Sequence, residues 1–169
     1  MGTFAYLGKD NEKLINMYTV ARQFRNAISQ DELLTIKKES FINKIFPYIV
    51  NSAFSSEIYL KLIILMNGST IPKKHSLTLL LEKANLKNKF KFFLIDNLNK
   101  LNKPYSDECF ERDLKSISNA FEDWRYIYEK NSITISNGFL QLLNTYLDIT
   151  CKSLIKNKFD INMDEYPYI

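Results

Sequence analysis

The chain has 169 residues, 46% of them hydrophobic and 25% charged, with a net charge of +4 at neutral pH. That length supports one ordinary core, that composition excludes a disordered chain, and a charge this modest permits nucleic-acid binding without arguing for it. Four glycines and four prolines leave little turn chemistry for a many-stranded β fold and favour long helices.

The two cysteines, Cys109 and Cys151, and the single histidine, His75, stand in no metal-ligand or disulfide spacing. No metal and no cofactor is expected. The first residues carry no basic-then-apolar leader, and charge interrupts the apolar runs at Lys61 and Asp96. A cytoplasmic protein without membrane association is therefore predicted.

In chain order, Leu14, Met17, Tyr18, Ala21, Phe24 and Ile28 recur at helical spacing and predict a helix over 11–29, with Arg22, Gln23 and Arg25 on its other side. The next helix is the longest apolar stretch, 47–66. Pro47 either kinks a longer helix or occupies the first turn, and Asn67-Gly68 is the stop. On one face of this helix lie Val50, Phe54, Leu60, Ile64 and Leu65, with Glu57 and Lys61 in the middle of it. Ser52, Ser55, Ser56 and Tyr59 form a separate, more polar stripe. An acid and a base on a core face, four residues apart, can pair along the helix, but desolvating them calls for further partners.

Pro72 keeps the crossing segment extended as far as His75, and Leu77, Leu80, Leu81 and Ala84 face inward from a short helix. Lysines 83, 87, 89, 91, 100 and 103 then interleave with Phe90, Phe92 and Phe93 until Pro104. Such a stretch binds RNA through phosphate contacts and ring stacking, or else is a core edge with a solvated lysine rim. Ser106 followed by two acids is a helix start. The helix it opens is predicted to run to Lys130 and pack on the 47–66 helix, with Phe110, Leu114, Ile117, Phe121, Trp124, Arg125 and Tyr128 on its core face. A loop over 131–137 precedes the last helix, whose inner positions are Phe139, Leu142, Leu143, Tyr146, Leu147 and Leu154. The whole reads as one helical domain over 1–159 and a tail over 160–169.

Three segments, SEIYLK at 56–61, KHSLTLLL at 74–81 and WRYIYE at 124–129, together resemble the HEPN family (higher eukaryote and prokaryote nucleotide-binding domains) in order and approximate spacing. The resemblance spans roughly 43–129. It implies an all-α, up-and-down bundle of four to five helices, often paired as a homodimer. Many HEPN proteins are metal-independent ribonucleases of toxin-antitoxin or phage-defence systems, built on an arginine followed after four to six residues by a histidine. Here YIYEKN follows Arg125 and no histidine lies downstream, so the family's usual proton-shuttling imidazole is missing.

Glu57, Lys61, His75, Arg125, Tyr128 and Glu129 are the candidate ligand-binding residues. One reading makes them a buried structural network; the other makes them a pocket for a nucleotide or RNA phosphate, with Arg125 as clamp and Lys61 as second cation. Arg125 is expected to reach Glu57. No glycine-rich phosphate loop, catalytic carboxylate pair or serine–histidine–acid set can be assembled. The function expected is a binding or regulatory module with a protein, RNA or nucleotide partner; the alternative is a divergent ribonuclease using Arg125 and His75.

Overall fold

The computed structural model describes residues 9–27, 38–118 and 136–166. Among them are six helices and no strand: α1 (Lys9–Asn26), α2 (Lys38–Met66), α3 (Leu77–Lys83), α4 (Lys87–Lys100), α5 (Asp107–Ile117) and α6 (Asn137–Phe159). This is the all-α bundle that the apolar periodicity predicts. The count reaches six because a left-handed residue, Asn85 (φ 56°), divides α3 from α4. Asn102 (φ 53°) follows α4 and Asp160 (φ 56°) ends α6 in the same conformation.

The bundle is organised around α2, which packs against α1 on one side and α6 on another and also meets α3. Pro47 lies inside this 29-residue helix rather than in its first turn, so one helical N–H, the partner of the Asn43 carbonyl, is missing there. Between Ser52 and Ile64 buried residues occur all round the helix, which marks a core helix rather than a surface one. By length and composition Lys44–Met66 could cross a membrane, but 61% of its most apolar window is buried within the bundle.

The stripe of Ser52, Ser55, Ser56 and Tyr59 corrects the sequence reading, since all four are buried. Small side chains let neighbouring backbones approach, and those approaches supply the polar partners. Ser55 Oγ donates to the Ala21 carbonyl of α1 (2.8 Å), and Asn144 Nδ2 of α6 donates to the Ser52 carbonyl (2.7 Å). The inner face of α1 is as expected at Leu14, Tyr18 and Ala21, with Phe24 edge-on to Phe54 at 4.7 Å.

A second part of the core forms where α4, α5 and α6 meet. Phe90 lies 6.0 Å from Phe110, 5.2 Å from Phe139 and 5.5 Å from Tyr146, ring centre to ring centre. Such tilted and edge-on pairs add about 0.5–1.5 kcal/mol each beyond their burial. Ser106 caps α5 as predicted, accepting from the Cys109 N–H at 3.3 Å. The described part of α5 packs on α3 and α6 rather than mainly on α2, because its core residues Phe110, Leu114 and Ile117 meet the aromatic cluster and α3. Phe121, Trp124 and the rest of the predicted helix to Lys130 lie outside the described residues.

Three of the six lysines in the lysine-rich stretch pair with neighbouring acids. Lys87 pairs with Glu111 at 3.0 Å, Lys91 with Asp107 at 2.9 Å and Lys100 with Asp96 at 2.7 Å. Phe90 is core, Phe93 packs on Tyr146, and Phe92 is 69% exposed. The segment expected as a tail folds back after Asp160, and Met163 is only 3% exposed.

Candidate functional site

The helix stop at 67–69 positions one wall of the site. Gly68 takes φ +75°, and the chain reverses through Gly68 N–H to Leu65 O (2.9 Å) and Ser69 N–H to Ile64 O (3.0 Å). The crossing segment then runs back along α2 to Ser76, whose Oγ caps α3 through the Leu79 N–H. That start is tied to the end of α5 by Leu77 N–H to Ser118 O at 2.8 Å. His75, one residue before the cap, is thereby held over α2.

There it meets the predicted acid. His75 Nδ1 lies 2.9 Å from Glu57 Oε1, and Lys61 Nζ donates to the same oxygen at 2.6 Å. A carboxylate oxygen at this distance accepts from an imidazole that carries a proton on Nδ1, the ring nitrogen nearest Glu57. Burial grades outward: the Glu57 side chain is 4% exposed, that of Lys61 19% and that of His75 48%. Glu57 Oε2 is buried and has no hydrogen-bond partner among the described residues, as is also true of Ser56 Oγ, Thr78 Oγ1 and Asn144 Oδ1. A buried orphan carboxylate oxygen is the costliest of these four to leave unmatched.

Three of the six residues singled out in the sequence are thus brought together. Arg125, Tyr128 and Glu129 lie outside the described residues.

Sequence reasoning missed a second buried carboxylate, Asp148 of α6. Its Oδ1 accepts from Tyr18 (2.9 Å) and Tyr59 (3.0 Å), while its Oδ2 meets Arg25 at 2.7 Å and Lys152 at 3.3 Å. Burial, then the Asp148 charge, drive both phenols far above the ordinary tyrosine range, so they remain donors. Cys151 beside them is buried, and burial raises its thiol as well. Arg22 and Arg25, expected on the outer side of α1, turn instead to α6 and the 160–166 segment. One signal was available: Leu140, Asn144, Asp148, Cys151 and Ile155 follow helical spacing and are all buried, whereas Leu142, Tyr146 and Leu154 are only partly so.

An open groove of about 510 Å³ between α1 and α2 is lined by Glu12, Lys13, Asn16, Met17, Val20 and Ile58, and none of the Glu57 cluster lines it. Among the described residues no group of histidine, cysteine and acids is placed to hold a metal. No protein-family model, curated protein or solved structure matches the chain.

Proposed function

We propose that the chain is a HEPN-like binding module rather than a nuclease, acting as a partner or regulator, alone or as a homodimer, in a toxin-antitoxin or phage-defence type of system. The observation that supports this reading is the Glu57 carboxylate holding Lys61 and His75 on one oxygen, within a buried-to-exposed gradient that ends at a half-exposed imidazole. Anchoring fixes an ammonium and an imidazole before any ligand arrives, which lowers the ordering cost of binding a nucleotide or RNA phosphate. Metal-independent phosphodiester cleavage asks for an acid and a base in one place, and this chain has a single imidazole.

The His75–Glu57 contact also favours a second reading, because a carboxylate that orients an imidazole is the pairing a general base uses. Incubating the purified protein with mixed RNA separates the two. The binding-module reading expects intact RNA with both the parent and His75→Ala, and at least tenfold weaker RNA retention by the variant at equal helicity. Cleavage by the parent that His75→Ala abolishes would establish the ribonuclease instead.

A further inference from the structure

The turn at 162–165 is closed on itself. Glu165 N–H donates to the Asn162 carbonyl (3.2 Å), Asp164 N–H to Asn162 Oδ1 (3.2 Å), and Asn162 Nδ2 to Glu165 Oε1 (2.7 Å). It rests on the bundle through the buried Met163 side chain, through Arg22 donating to the Met163 carbonyl at 2.9 Å, and through the Asp164 carboxylate. That carboxylate lies 2.6 Å from Lys152 Nζ and 3.9 Å from the Arg22 guanidinium.

The charges around it are unequal in kind. Arg22, Arg25 and Lys152 converge on two anions, Asp148 and Asp164. Asp148 is interior and has its own phenol and guanidinium donors, so it holds Arg25 and Lys152 in place from within. Asp164 is different: its side chain is 59% exposed, while Lys152 and Arg22 are 27% and 19% exposed. Lys152 is held from within by Asp148, Arg22 is held by the Met163 carbonyl of the turn, and the outer anion is the most exposed member of the group.

We infer that Arg22 and Lys152 form a seat for the phosphate group of a ligand, occupied in this state by the chain's own Asp164 as a tethered stand-in. An arginine beside a lysine suits a phosphate dianion better than a carboxylate, because each further oxygen accepts another donor. The lysine hydrogen bond, with Coulombic help from Lys152 and Arg22, holds the Asp164 carboxyl below its usual range, so it is ionised and competes at neutral pH. A carboxylate on a short tether acts at an effective concentration on the order of millimolar, and phosphate competes against it. The seat is separate from the Glu57 cluster and stands whether or not that cluster binds RNA.

Asp164→Asn removes the competing charge while leaving Met163 and the turn's backbone bonds. Binding of inorganic phosphate to the full chain, followed calorimetrically against sodium chloride of equal ionic strength, is expected to be at least tenfold tighter in Asp164→Asn than in the parent. Adding Lys152→Ala should abolish that gain. Asp164→Ala should reproduce it and serves if the asparagine variant loses helicity. The inference is overturned if neither Asp164 variant binds phosphate more tightly than the parent, if the gain survives loss of Lys152, or if chloride reproduces it.

Discussion

Asp148 on α6 and Glu57 on α2 are both carboxylates buried in one bundle, and they are furnished differently. Asp148 receives two phenols on one oxygen and two cations on the other. Glu57 receives a cation and an imidazole on one oxygen, and its other oxygen has no partner among the described residues. A completed network ties three helices into one arrangement and leaves neither oxygen of its buried carboxylate unmatched. A half-completed one, opening toward the surface through His75, retains an unmatched acceptor, which is why the candidate site is placed at Glu57 and the structural keystone at Asp148.

The largest expected effect is at the keystone. Asp148→Ala strips an acceptor from two buried phenols and a counter-charge from Arg25 and Lys152, at a cost of about 3–5 kcal/mol in urea unfolding. A loss smaller than that of a Glu57 substitution would reverse the assignment of roles.

Alkali sharpens the same contrast. The folded protein holds the Tyr18 and Tyr59 protons more tightly than the unfolded chain does, because burial and the neighbouring Asp148 charge raise both phenols. Their contribution is therefore fully present below about pH 10, the ordinary tyrosine value, and declines as pH rises beyond it, when the unfolded chain releases protons that the folded one keeps. The expected slope is about 1.4 kcal/mol per pH unit for each such tyrosine. Stability measured above pH 10 should fall less steeply in Tyr18→Phe/Tyr59→Phe than in the parent; equal slopes would mean the phenols are not held as described.

The smallest effect is expected at Glu57. Glu57→Gln keeps an acceptor for Lys61 and His75 and removes a charge whose second oxygen is unmatched, so unfolding should shift by less than about 1 kcal/mol. A loss as large as that of Asp148→Ala would make Glu57 a second keystone.

The legibility of these two sites in the sequence differs for the same physical reason as their furnishing. Glu57 and Lys61 are one helical turn apart, and His75 lies just past a glycine stop and a proline, so local spacing alone brings them near one another. Asp148 takes its phenols from positions 130 and 89 residues away, and no local pattern marks an aspartate for such partners. The serine stripe on α2 misled because serine reads as polar by composition, while in a helix packed on two sides its small volume and a carbonyl across the interface make it interior. Helix existence, the Ser106 cap and the Gly68 stop were legible because each is a short-range effect. The burial of Phe90 and exposure of Phe92 were not, since alternating lysines and phenylalanines leave the inner face of α4 undefined until α5 and α6 are in place.

Three chain reversals in this bundle use Asn85, Asn102 and Asp160 at positive φ, where glycine is the usual occupant. A side chain in that region costs the native state on the order of 1 kcal/mol, least for asparagine and aspartate. Glycine would avoid that strain but would leave the denatured chain freer by roughly 0.4–1 kcal/mol of conformational entropy. The two nearly offset one another. The boundaries of α3, α4 and α6 are thus set partly by limiting what the denatured ensemble can explore, and a chain with only four glycines can turn sharply without becoming looser when it unfolds.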